Sequence, residues 1–141
     1  MQYLHKTEGT GLIMSKEEKM KNRSKEESKV SMKGMYHELN SAYELMSKSA
    51  PEYMKSFMEY FIDTEKTGIL SEKTKVLISI AIAVTSKCLP CIAFHVSNAV
   101  EIGVSKKEIL EACQVAVFMS GSPSFVYIKY VNDACDEFGV E

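Results

Sequence analysis

Cys88, Cys91 and His95 fall within ten residues, S-K-C-L-P-C-I-A-F-H, positions 86–95. Their types and spacing could do more than one kind of chemistry. Two thiols three residues apart can cycle between dithiol and disulfide. The same pair with an imidazole supplies three ligands of a possible zinc site, and all three can equally be core residues of one helix. If residues 88–95 are helical, Cys88 and Cys91 lie one turn apart with Cα atoms about 5 Å from each other, within reach of a disulfide. His95 lies a further turn along, in register with Cys91. At the start of a helix, free N–H groups and the macrodipole stabilise a thiolate, the nucleophilic form of cysteine. His95 could take the thiol proton, and Pro90 would stiffen the turn between the sulfurs. That chemistry is two-electron thiol redox: one sulfur attacks a peroxide oxygen or a disulfide, and the other resolves the product. A zinc site would need a fourth ligand, and the chain has no second C-x-x-C. Redox is therefore favoured over metal, and no metal ligand set is assigned. Cys113 and Cys135 sit at core-like helical positions, His37 on a helix rim, and His5 in a polar lead.

The elements that must position these groups read as helices. In a chain of 141 residues, with 45% hydrophobic and 26% charged residues and a net charge of −2, one domain is expected and no basic footprint for nucleic acid is present. No apolar run is long enough to span a bilayer, and the N-terminal order is not that of a secretory signal, so a cytoplasmic protein is expected. A close cysteine pair in that compartment points to catalysis, redox sensing or metal binding. Residues 1–30, rich in Lys, Glu and Ser, read as a polar tail or frayed helix, with residues 1–13 an upstream extension before Met14; residues 31–141 read as the folded domain. Met32, Met35, Tyr36, Leu39, Tyr43 and Met46 recur at helical spacing. Ser49-x-x-Glu52 with Pro51 reads as a capping box opening a second helix. The apolar segment 71–87 is long for a strand and reads as a buried helix capped by Ser71. The cysteine helix follows and runs to about Ile102, ending at Gly103. Ser105-x-x-Glu108 is another capping box, Gly121-Ser122-Pro123 breaks that helix, and a last one carries Phe125, Ile128, Val131, Cys135 and Phe138. The expectation is an all-α, single-domain bundle of about six helices. A thioredoxin-like fold, which also places C-x-P-C after an apolar run, is disfavoured because no further strands follow.

From Lys73 to about Tyr127 the sequence resembles the alkylhydroperoxidase D-like, or carboxymuconolactone decarboxylase-like, proteins. The residues that carry the likeness are KTKVLISIAIAVTSKCLPCIAFHVSNAVEIGVSKKEILEACQVAVFMSGSPS. The resemblance implies an all-helical oligomer, a trimer or hexamer among the possibilities. It also implies peroxiredoxin-type reduction of alkyl hydroperoxides, with no bound cofactor and with electrons from an external dithiol or thioredoxin-like donor. By position it makes Cys91 the attacking cysteine, Cys88 the resolving one and His95 the relay histidine. The branch usually carries a glutamate twelve residues before the first cysteine; here that place is Val76, and Glu72, one turn earlier, is the nearest candidate on that face. Alternatives from the same residues are thiol–disulfide exchange, or a redox-sensing or metal-binding oligomer without peroxidase activity. Lactone decarboxylation on the same fold is a further alternative. The cysteine pair and the single arginine, Arg23, speak against that last one.

Overall fold

A computed structural model describes residues 15–16 and 30–141. The expected tail over 1–30 and the extension over 1–13 lie almost wholly outside the described residues. Ser31–Glu141 forms one compact unit. Six helices of twelve residues or more and one single-turn helix build it, and among the described residues there is no strand. They are α1 (Met32–Ser49), α2 (Pro51–Glu65), α3 (Glu72–Thr85), α4 (Leu89–Glu101), α5 (Lys106–Ser120), α6 (Ser122–Phe125) and α7 (Tyr127–Phe138). The thioredoxin-like alternative, which needs a sheet, is thereby removed.

Helix α4 is the centre. Ile92, Ala93, Val96 and Ala99 are fully buried, and α1, α3 and α7 pack around it. Its small buried residues allow close approach by three neighbours at once. Helix α3 also packs along α5, with Lys73 Nζ 2.9 Å from Glu108 Oε1, so the two run parallel from level starts. The first and last helices of this unit are tied together at the start of α1: Ser31 caps it by accepting the Gly34 N–H at 3.1 Å, and Glu137 of α7 accepts the Lys33 N–H at 2.9 Å. A carboxylate there meets the positive helix end.

Ser71 and Ser105 cap α3 and α5 as the sequence predicts, the latter as a complete capping box with Glu108. The Ser49-x-x-Glu52 box does not form. Ser49 is the last helical residue of α1, and the N–H of Ala50 still bonds the Met46 carbonyl at 2.8 Å. A residue held in helical geometry cannot turn its hydroxyl onto the next helix, so α2 starts from Ala50 with Pro51 in its first turn and no side-chain cap. The predicted last helix is also interrupted. Phe125 belongs to α6 and is mostly exposed, while Val131 and Cys135 of α7 are buried. No described helix is long and apolar enough to cross a membrane.

Candidate functional site

Helix α3 hands the chain to α4 through a tight reversal. The Cys88 N–H reaches the Ala83 carbonyl at 3.1 Å, and the Lys87 N–H reaches that of Val84 at 3.2 Å. This paired closure requires a left-handed residue between the helices, and Lys87 supplies it with φ +58°. Such a conformation costs a side-chain-bearing residue about 1 kcal/mol, so a lysine here is held by its surroundings. The next residue, Cys88, is extended and serves as the N-cap of α4, its Sγ accepting the Cys91 N–H at 3.3 Å. Sulfur thus takes the place that Ser or Asp usually fills. Cys88 sits one position outside the helix, not in its first turn, with Leu89 and Pro90 as the first two helical residues. Pro90 has no N–H to leave unpaired at the helix start and enforces the dihedral that brings Cys91 back under Cys88. The two cysteines are joined as a disulfide, with Cα atoms 5.2 Å apart.

Cys91 and His95, one turn apart, line a cavity of about 190 Å³ together with Ser79, Ile82, Ala83 and Ser86 of the α3 end. The register expected from sequence therefore holds for Cys91 and His95. Cys88 lies beside the cavity through its bond to Cys91. His95 is pushed below its ordinary pKa of 6.5 by burial, and the Glu65 carboxylate opposes that shift. Glu65 closes α2; its Oε1 accepts the Ser79 hydroxyl at 3.2 Å, and Ser79 lines the cysteine cavity. His95 Nδ1 and Glu65 Oε2 are both buried and make no hydrogen bond. Two such atoms are costly at rest and fit a place where a proton moves.

Glu65, a carboxylate that acts on His95, was not singled out in the sequence. Val76, in the usual glutamate place, is buried, and Glu72, the sequence candidate, lines a neighbouring cavity instead of the one holding Cys91. Glu72 opens α3 on a turn too far from the cysteine end, whereas Glu65 reaches across from α2. The available signal was register: Met54, Met58, Phe61 and Glu65 fall at helical spacing, so a carboxylate continues the inward stripe of α2. Phe94, also unremarked in the sequence, braces His95 edge-on with ring centroids 5.3 Å apart and meets Phe61 at 5.6 Å.

The remaining sulfurs are not part of this site. Cys113 and Cys135 are free and buried, and burial is the main cause that pushes their thiols up to about 12 and about 11. Among the described residues no cluster of three or more His, Cys, Asp or Glu side chains is arranged to hold a metal ion. His37 is exposed on α1.

An all-helical unit with a C-x-x-C pair capping a central helix is the class of protein the fold and site define. Residues 51–129 match the carboxymuconolactone decarboxylase family, and the chain belongs to it. It is similar to a crystal structure, in the apo form, of a carboxymuconolactone decarboxylase family protein from Legionella pneumophila. That structure superposes with a TM-score of 0.73 at 33% identity, over 76% of this chain and 96% of that one. An uncharacterized protein of Cupriavidus necator is 27% identical over 90 residues, 64% of this chain and 80% of its own length. Uncharacterized protein 4 in the cox locus of Paracoccus denitrificans is 33% identical over 70 residues, half of this chain and 63% of its own.

Proposed function

We propose that the protein is a dithiol oxidoreductase that reduces organic hydroperoxides at Cys91. The observation that carries this is the shared cavity: Cys91 and His95 face one space, and the Glu65–Ser79 pair reaches its wall. In the reduced protein, the neutral imidazole of His95 takes the Cys91 proton. Glu65, from the far side, stabilises the imidazolium that results. The Cys91 thiolate attacks the hydroperoxide, forming an S–O bond as the O–O bond breaks, and His95 returns its proton to the departing alkoxide to give the alcohol. Cys88 then attacks the Cys91 sulfenic acid and releases water, which restores the disulfide. An external dithiol of the thioredoxin type supplies two electrons and two protons to reopen it.

The same reading takes the working unit to be a homo-oligomer. Helices α3 and α5 run parallel and bury Val76, Ile80, Ile109 and Cys113 on the inner side, which leaves Ile78, Ile82, Val115, Phe118 and Met119 facing out. Phe125 and Val126 of the following turn are exposed as well, and so many large apolar side chains left in water suit a face covered by a second copy.

A second reading has one specific observation behind it. Cys88 Sγ accepts the first-turn N–H and so sits where a helix end most favours a thiolate. That supports thiol–disulfide exchange led by Cys88, with no peroxide chemistry. Stopped-flow reaction of the reduced protein with hydrogen peroxide and with cumene hydroperoxide separates the two. Peroxidase chemistry predicts rates well above that of free cysteine, lost in Cys91→Ser and strongly reduced in His95→Ala. Rates equal to free cysteine in all three leave exchange alone.

A further inference from the structure

We propose that the groove between α3 and α4 sorts substrates by charge, taking organic hydroperoxides or disulfides with a neutral or cationic body and turning away those that carry a carboxylate. This rests on the dithiol reading above and names the substrate class of that same site. The cavity at Cys91 has a neighbour of about 360 Å³. The first is walled by Ser79 and Ala83 of α3, by Ser86 just after it, and by Cys91 and His95 of α4; the second by Glu72 and Val76 of α3, by Asn98 and Glu101 of α4, and by Ile102 just after it. Early α3 residues thus face late α4 residues, so the helices are antiparallel and the two cavities are successive lengths of one groove. Glu65 stands at their junction: it lines the larger space and is bonded to Ser79 of the smaller.

The larger space has an apolar bed of Phe61, Ile62, Val76, Phe94 and Ile102, which suits the body of an organic molecule whose reactive end lies at Cys91. Its charge is one-sided. Glu65, Glu72 and Glu101 all line it, against a single cation, Lys66. The Lys66 ammonium is held by Asp63 at 2.7 Å. Lys75, the next cation along α3, is turned onto the carbonyl oxygens of Thr64 and Lys66 at 2.6 and 2.8 Å. A half-enclosed apolar bed focuses the field of such carboxylates on whatever enters. An anionic body would meet that repulsion with Lys66, the one cation among the lining residues, already engaged by Asp63.

The test uses dialkyl disulfides with six-carbon arms ending in ammonium, hydroxyl or carboxylate, reacted with the reduced full chain at low salt. In each reaction Cys91 bonds to one probe sulfur and expels the other as thiolate; Cys88 then displaces the second, leaving the protein disulfide and two probe thiols. Rates are compared with those of 2-mercaptoethanol, which corrects for the intrinsic reactivity of each probe, and the hydroxyl probe is the internal reference for every variant. The ammonium probe is expected to outrun the carboxylate probe by roughly tenfold or more beyond the 2-mercaptoethanol ratio. High salt and the Glu72→Gln/Glu101→Gln double variant are each expected to shrink that excess to within about twofold. A wild-type ratio equal to that of 2-mercaptoethanol, or an excess that persists in the double variant, overturns the charge filter while leaving the dithiol chemistry intact. A wild type that reacts with none of the probes overturns the dithiol reading, and the filter with it.

Discussion

In the proposed reaction the proton passes through His95, and the setting of that residue makes two predictions. Burial holds its pKa below 6.5, so the folded protein keeps it neutral where the unfolded chain would protonate it. The unfolded state then binds the extra proton first. The stability contributed by neutral His95 is complete above pH 6.5 and is lost as the pH falls through that value towards the lower folded one. The Tm of the oxidised protein is expected to drop over that interval, and His95→Phe to flatten this part of the profile. Glu65 opposes the burial effect, so Glu65→Gln is expected to move the His95 titration, followed by nuclear magnetic resonance, to still lower pH. An unmoved titration would separate Glu65 from the relay. The shared stripe of Cys91 and His95 was legible from spacing, because one helix turn fixes their register, whereas the place of Cys88 as the cap just outside the helix was not. Register alone puts Glu65 on the inward stripe of α2, but its approach to His95 depends on how α2 crosses α3 and α4, a relation that no local spacing encodes.

At the scale of elements, the α3–α4 reversal is where local preference and function pull apart. Gly is the usual residue at such a left-handed closure, and Gly103 and Gly139 take positive φ near the ends of α4 and α7. Lys87 does so with a full side chain, immediately before Cys88. Lys87→Gly is expected to stabilise the protein by about 0.5 kcal/mol in urea unfolding, since relief of about 1 kcal/mol of backbone strain is partly offset by the added freedom of the unfolded chain. A loss of stability would mean that the lysine side chain has a role of its own. This closure was invisible in the sequence for the same reason: without a glycine, nothing marks a left-handed turn. Caps at Ser71 and Ser105 were legible because each hydroxyl acts within three residues of itself. The apparent box at Ser49 misled because α1 continues through that serine, with the Ala50 N–H still bonded to the Met46 carbonyl.

For the whole molecule, the helical class followed from periodicity, while the central place of the cysteine helix and the outer surface did not. Phe118, at 85% exposure, and Met119, at 76%, look like ordinary helix residues in the sequence; only the parallel packing of α5 on α3 shows that they face outward beside Ile78 and Ile82. Ile82 also lines the Cys91 cavity, so a second copy seated on this face would border the site. Sedimentation of the wild type is expected to give an oligomer, and Phe118→Glu with Met119→Lys to give a folded monomer; a wild type that sediments as a monomer would leave this face without the proposed partner.

Trapping the oxidised sulfur tests the central claim most directly. The Cys88→Ser variant is reduced, then treated with one equivalent of hydroperoxide in the presence of dimedone, and the modified residue is read by tandem mass spectrometry. A dimedone adduct on Cys91, with Cys113 and Cys135 unmodified and the wild type forming its disulfide instead, is the expected result. No adduct on Cys91, together with rapid trapping at Cys88 in the Cys91→Ser variant, would contradict it and assign the attacking sulfur to the helix cap.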